Sequence, residues 1–527
     1  MISFKKRVDR DLSKPFVKNS HIFALGGGDL GYSLISCTVA TYIMTYGTMA
    51  IGISGTLMGL AIAIGTIFDA LSDPIVGYVS DNFSSKIFGK RHLFMLIGLI
   101  GVMISSFAIW FVPMNWSEIG MFFWFTIWLI LLRTFNTFYF TPVGAFSVEV
   151  SNDYNERTTI QTIRSIFYII GMIAPVIIMG SFQNKHAVLD AVTGEVLVKG
   201  QFIAAGYKEF AIVAIVICAI TTIFLMIMTF PDIKMVKARE ARLHPDDGTP
   251  RIKKSLKEVI MGFFSVLKIG NMRSIIFGYA ISMISATLLI SIGFHVFTFT
   301  FIMSTTQMYV LMGSMLGMTI FGQPLWAVIA KKLDKRKSLL IGLSLCLIGC
   351  ILLFVCYFTR ANINSAIAKS GTGLFYLLPG LMLAGLGTGV LYSMPLALIG
   401  DVVVKQSADG SSEQTGTYAG MMTFAYKISQ SLTVALAGVL LDVIGFQEGS
   451  TSQTPHTASG LGLILCIGIT VAIITGIIIF STMKINKAEI TQIMADKENG
   501  LISVNNNKKI IEDNDDIQEE NTNNVKL

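Results

Sequence analysis

The feature that most constrains this chain is a series of twelve apolar runs, each near or beyond the roughly 20 residues that cross a bilayer as a helix. They lie at about 22–49, 55–80, 93–113, 119–147, 164–182, 208–230, 275–302, 307–330, 338–359, 374–398, 419–441 and 459–482. Lipid offers no partner for an unpaired backbone N–H or C=O, so such runs have to be helical. A transmembrane barrel would need short segments of alternating polarity, which the sequence lacks. Only 14% of the 527 residues are charged and 53% are hydrophobic, against about 25% charged in a soluble domain. An all-α polytopic membrane protein is expected. No enzymatic function is expected either, because no loop pairs a nucleophile with a base or clusters metal ligands. No cofactor is called for. The six cysteines lie inside apolar runs and read as small packing residues.

The net charge of +7 would suggest nucleic acid in a soluble protein. Here the basic residues sit in loops, and topology explains them better. Lys5, Lys6, Arg7, Arg10, Lys14 and Lys18 precede span 1; Lys86, Lys90 and Arg91 follow span 2; Lys331, Lys332, Lys335, Arg336 and Lys337 follow span 8. The loop after span 6 carries eight more between Lys234 and Lys257. The opposite loops hold little beyond Lys185, Lys199, Arg360 and Lys369. This bias places the first set, and both termini, in the cytoplasm. The location expected is the cell membrane, with span 1 as its own targeting signal and the lipid bilayer, not nucleic acid, as partner. A monomer is expected.

The chain divides into an N-terminal segment (1–21), a six-span half (22–230), a charged middle loop (231–274), a second six-span half (275–482) and a tail (483–527). The tail is rich in asparagine and acidic residues and reads as disordered after a short helical start. The polar outer loop at about 183–207 is expected to cover the mouth between the halves. The halves echo one another. Asp73-Pro74 matches Gln323-Pro324, Tyr139 to Pro142 matches Tyr392 to Pro395, and Glu156-Arg157-Thr158 matches Glu413-Gln414-Thr415, all at an offset of about 250 residues. Two parallel six-helix repeats joined by a basic loop are the organisation of the major facilitator fold, in which the substrate site lies between the halves near the midplane.

Charges within the spans carry the functional signal. A carboxylate at a helix centre costs about 2.5–3.5 kcal/mol on insertion scales. Asp69 and Asp73 share one face of span 2 by their i,i+4 spacing, with the Ser72 hydroxyl beside them. Oxygen ligands suit hard cations, so a sodium ion or a proton would relieve their repulsion. The plainer alternative is that Asp73 caps or pairs near the cytoplasmic end. Asp29, in Gly26-Gly-Gly-Asp-Leu-Gly31, suits a structural or gating ion pair or a ligand contact. The motif is no phosphate loop, since no strand precedes it and no Lys-Ser/Thr follows. Lys427, the one basic residue within span 11, suits a substrate donor or a counter-ion to the aspartates. Arg164 either snorkels or faces the cavity. Arg133 in span 4 has no evident partner, and His295 reads as a packing histidine.

Several of these motifs resemble the glycoside–pentoside–hexuronide:cation symporters, the melibiose permease-like family. They are Gly26 to Gly31, Phe68-Asp-Ala-Leu-Ser-Asp-Pro74, Pro142 with Val148-Glu-Val-Ser-Asn-Asp-Tyr-Asn-Glu-Arg157-Thr, and Gly400-Asp401 followed by Lys427. The resemblance covers residues from about 20 to about 482. It implies a cation site of Asp69, Ser72, Asp73 and Thr137. It implies a substrate cavity touched by Tyr32, Ser33, Arg164, Thr423 and Lys427. It places Asp29, Arg157 and Asp401 among the gating groups, with Arg157 and Asp401 where the halves pair on the cytoplasmic side. The departures are specific. Ser33 and Phe140 stand where the galactoside carriers have acidic residues, Tyr32 replaces a lysine, Gly144 a tryptophan, and Thr66 an arginine one turn before Asp69. Other sugar-carrying members also lack the two acids, so a glycoside is compatible and a galactoside is not expected.

The expectation is a secondary symporter that couples Na+ or H+ to uptake of a glycoside or related sugar by alternating access. A lysophospholipid or other amphiphile is the rival cargo, since the lysophospholipid symporters are distant relatives. A non-transporting ligand sensor is the rival from another class.

Overall fold

The computed structural model describes residues 17–83, 85, 87–151, 154–234, 236, 264–408 and 415–498. Twelve helices among them are long and apolar enough to cross a membrane. They are α1 (Asn19–Thr45, continued by a π-helical turn Tyr46–Ile51), α2 (Gly55–Asn82), α3 (His92–Trp110), α4 (Glu118–Glu149), α5 (Tyr154–Lys185) and α6 (Ala204–Thr229). The second six are α7 (Gly270–His295, continued by a π-helical turn Val296–Thr300), α8 (Thr305–Lys332), α9 (Lys335–Phe358), α10 (Leu374–Ala408), α11 (Thr415–Val443) and α12 (Pro455–Ser481). Hydropathy marks where lipid begins, not where a helix ends. That is why α5 starts ten residues before its apolar run and α10 extends well past its own. The carboxylate of Glu156 anchors the polar start of α5, accepting from the Val17 amide and the Ser151 hydroxyl. Much of the middle loop and all of the tail beyond Glu498 lie outside the described residues; a short helix, Lys487–Glu498, begins the tail.

The duplication is visible in the backbone. Both π-helical turns end one half's first helix, about 250 residues apart, and each is followed by a left-handed residue: Gly52 at φ +87° and Ile302 at φ +51°. Ser54 and Ser304 then cap the next helix, accepting from the amides of Leu57 and Gln307. A β-branched residue in that region is a strained choice.

Each half also carries its own clamp. Arg91 donates to Glu149 at 2.6 Å and to Ser80 at 2.9 Å in the first half. Lys335 meets Asp401 at 2.5 Å in the second. Asp401 was expected to pair across the halves on the cytoplasmic side. It pairs instead within its own half, because Lys335 at the start of α9 faces the end of α10. Arg157 donates from Nε to the Ser151 carbonyl at 2.6 Å, also within its half.

The halves meet through α2 with α11, α5 with α8, and α1 with α7. The contacts crowd at the end where α1 turns into α2. Gly55 and Thr56 amides donate to Asp442 at 2.9 and 3.0 Å. Thr48 bonds His295 at 2.7 Å, and Gly449 donates to the Thr48 carbonyl at 2.9 Å. The loop between α5 and α6 forms a small antiparallel hairpin, Val188–Leu189 with Val196–Val198. It then joins the opposite half: Lys199 donates to Met303 O at 2.6 Å, Gln201 to Thr298 at 3.1 Å, and Thr305 to Gln201 at 2.6 Å. Between α2 and α11 the backbones touch directly. A Cβ on Gly438 would stand 2.1 Å from the Gly55 carbonyl oxygen.

Gly438→Ala should therefore cost about 1–3 kcal/mol through overpacking at this seam and lower the midpoint of thermal unfolding in detergent. Gly144→Ala, where a Cβ meets nothing within 4 Å, should leave that midpoint unchanged. Equal behaviour of the two variants would refute the close approach.

Candidate functional site

Two charged clusters lie among the helices, each assembled from several of them. The first is centred on α2. Asp69 and Asp73 project from one face, and Pro74 follows them inside the helix. Lys427 of α11 reaches across from the other half and lies 2.8 Å from Asp69 and 2.5 Å from Asp73. Thr137 of α4 faces the same pair, its hydroxyl 2.9 Å from Asp73, 3.3 Å from Asp69 and 3.2 Å from the Arg133 carbonyl. One hydroxyl proton serves three acceptors, so the carboxylates keep unused lone pairs. Their side chains differ in access, at 9% exposed for Asp69 and 38% for Asp73. Two carboxylates and one ammonium leave one negative charge uncompensated, in a setting where removing water strengthens every charge interaction. The donor set is all oxygen, which suits a hard monovalent cation or a proton. Among the described residues no three His, Cys, Asp or Glu side chains converge on a metal position. Ser72 is close by, but its hydroxyl turns back to the Asp69 carbonyl at 3.2 Å.

The second cluster lies on the wall of a cavity of about 470 Å³ between the halves. Arg164 of α5 grips Asp29 of α1 in a fork, Nε to Oδ2 at 2.6 Å and Nη2 to Oδ1 at 3.1 Å. Nη1 donates to Ser147 at 2.6 Å and to Gln161 at 3.2 Å. The side chains are only 3% and 9% exposed, so Arg164 is turned inward and does not snorkel. The glycines around Asp29 make this possible: a Cβ on Gly31 would stand 2.7 Å from the Cys218 Cα, and one on Gly28 2.6 Å from the Tyr139 hydroxyl. Small residues let α1 sink against its neighbours.

Two of the positions where the resemblance expects charged residues, Tyr32 and Phe140, are aromatic here, and they touch. Tyr32 stacks on Phe140 with ring centroids 4.6 Å apart, and Tyr168 lies 6.4 Å from Tyr32. Phe140, Tyr168 and Tyr392 line the cavity with Arg164, Thr319 and Gln323. Ser33 does not join them. It is fully buried, donates to the Leu30 carbonyl at 3.1 Å, and fills the contact with Gly171 of α5. The face of α1 that carries Ser33 packs on α5, which corrects the expectation of a substrate contact there. Thr423 is exposed one turn before Lys427 on the same face of α11. The sequence reading missed Tyr168 and Gln161, which carry no charge, as cavity residues. It also passed over Gln323 and Tyr392, although both had stood out as repeat echoes of Asp73 and Tyr139.

A family model described as MFS/sugar transport protein matches residues 24–487. The chain belongs to that family. Twelve apolar helices and this membership make it a multi-pass membrane protein of the major facilitator superfamily, and family and fold point to a transporter, not an enzyme. An uncharacterized symporter of Synechocystis sp. is 32% identical over 163 residues, 29% of each chain. The sodium-dependent lysophosphatidylcholine symporter 1 of Xenopus tropicalis is 20% identical over 484 residues, 88% of this chain and 86% of that protein. The crystal structure of a D-xylose–proton symporter superposes with a TM-score of 0.54 at 14% identity, over 88% of this chain and 97% of that one. The inward-open E. coli xylose transporter gives a TM-score of 0.56 at 12% identity, over 90% and 98%. At such identities the structural likeness speaks for the fold. That the family relatives are symporters implies a coupling cation.

The Asp29–Arg164 fork gives a sharp expectation. Losing one partner leaves a buried charge without its counter-ion, worth about 3–5 kcal/mol, whereas losing both leaves none. Asp29→Asn and Arg164→Gln should each lower thermal stability more than the double variant does. Additive losses in the double variant would mean that the two groups act independently.

Proposed function

We propose that this protein is a cation-coupled symporter that uses sodium, or alternatively a proton, to drive uptake of a glycoside or related sugar across the cell membrane by alternating access, with both termini cytoplasmic. The observation that carries this reading is the bridge from Lys427 to Asp69 and Asp73 across the interface of the halves. A cation placed between these carboxylates takes over the role that the ammonium fills here. It frees Lys427 toward the cavity, and Thr137 supplies a neutral oxygen ligand. Cation and substrate then favour each other's binding, and that coupling is reciprocal. A potential of 100 mV contributes roughly 2.3 kcal/mol per charge moved, enough for about 50-fold accumulation with one cation. The family description supports sugar as the cargo.

A second reading rests on a specific finding. Relatives that align over nearly the whole chain are sodium-dependent lysophosphatidylcholine symporters, and the aromatic Tyr32–Phe140 stack would suit an amphiphile. Competition against a glycoside panel and against lysophosphatidylcholine, in vesicles with an imposed sodium or pH gradient, separates the cargoes and the two coupling ions.

Asp69→Asn should abolish gradient-driven accumulation while leaving the protein inserted and folded. Thr137→Ala should weaken stimulation by sodium more than substrate binding at saturating sodium. Normal concentrative uptake by Asp69→Asn would remove the aspartates from the coupling site.

A further inference from the structure

Arg133 stands midway along the 32-residue α4, roughly 22 Å from either end at 1.5 Å rise per residue. That is too deep for its head to reach interfacial water along its own stem. The nearby carboxylates take their direct partners elsewhere: Asp69 and Asp73 face Lys427 and Thr137, and Asp29 holds Arg164. Among the described residues the Arg133 guanidinium makes no hydrogen bond and no ion pair. An intramembrane arginine with no carboxylate in direct contact is costly unless a ligand supplies one.

The surroundings are those of a receptor. Arg133 lines an enclosed cavity of about 40 Å³ whose walls come from both halves, room for a few waters or one small oxyanion. Thr66 and Thr287 spend their hydroxyl protons on the carbonyls of Ile62 and Met283. Ser291 of α7 and Gln430 of α11 also line the cavity, and no hydrogen bond fixes either among the described residues. Arg133 from one half, and Ser291 and Gln430 from the other, thus bring uncommitted donors to one place. Charge balance points the same way. Asp69, Asp73 and Lys427 sum to one negative charge, which Arg133 cancels. A coupling cation then leaves the site positive, and a ligand carrying one negative charge restores neutrality.

We propose that Arg133, with Ser291 and Gln430, receives an anionic group of the transported ligand, a carboxylate, sulfate ester or phosphate, in this small cavity between the halves. This deepens the symport reading and rests on it for the word "transported". The receptor itself can be tested by binding alone.

The test is thermal-shift titration of the purified protein in sodium with two matched pairs and one free anion. The pairs are p-nitrophenyl β-glucuronide against p-nitrophenyl β-glucoside, and lysophosphatidic acid against monoacylglycerol; the free anion is inorganic sulfate. In at least one pair the anionic member should bind tenfold or more tightly than its neutral partner. Arg133→Gln should erase that preference and leave the neutral member unchanged, while Arg133→Lys keeps part of it. The pair that responds tells a sugar from a lipid source. Equal binding within both pairs, binding of no probe, or a preference intact in Arg133→Gln overturns the proposal. So does sulfate alone displacing the ligand group with full effect, because the site would then serve a free ion. A preserved preference in a protein without gradient-driven flux keeps the receptor and sinks symport.

Discussion

The charged link between the halves rests on one contact that neither can make alone, the reach of Lys427 to Asp69 and Asp73. Two carboxylates stacked on one helix repel each other, and the membrane interior gives them little water to relieve it. The counter-charge comes from α11 in the opposite half. An ion pair of this kind is weak evidence for stability, since desolvating its members consumes most of what attraction returns. Its value in the proposed symport is that it can be exchanged. An ammonium held by oxygens can give way to another cation of the same charge without leaving the carboxylates bare. The Asp29–Arg164 fork is the opposite case, closed within one half and more deeply buried.

The fold was legible because lipid leaves the backbone few options, so twelve apolar runs translate into twelve helices. The aspartate pair was legible because i,i+4 spacing alone puts both on one face, and Lys427 because a lone base in an apolar span needs a partner. What the sequence could not give is which way a residue on a uniformly apolar helix points. Ser33 turned out to be packed on Gly171, and Asp401 to be held by Lys335. Arg164 and Asp29 were each conspicuous, yet their pairing depends on how closely glycines let α1 approach α5. Arg133 and Thr66 looked unrelated in sequence, on different helices. They line one cavity.

Aromatic replacement is the other change that only geometry could interpret. Tyr32 and Phe140 stand where charges are expected, and read singly each is a loss. Stacked at 4.6 Å, they put an aromatic pair where the resemblance expects charges, with Phe140 on the cavity wall that also holds Arg164. Such surfaces accept sugar rings and acyl chains alike. The polar groups around them have to do the discriminating.

The closed end of the cleft has a consequence for how the protein moves. Its seam combines hydrogen bonds at Gly55, Thr48, Lys199 and Gln201 with glycine backbones in contact and with aromatic pairs across the halves, Tyr42 with Phe294 at 5.4 Å and Phe202 with Phe299 at 5.8 Å. Each such bond contributes only about 0.5–1.5 kcal/mol net, because water replaces the lost partner when it breaks. Parting the seam therefore exposes groups that solvent can satisfy at once. For an alternating-access cycle of the kind proposed, this polar part of the seam is the part that water can take over when the halves part.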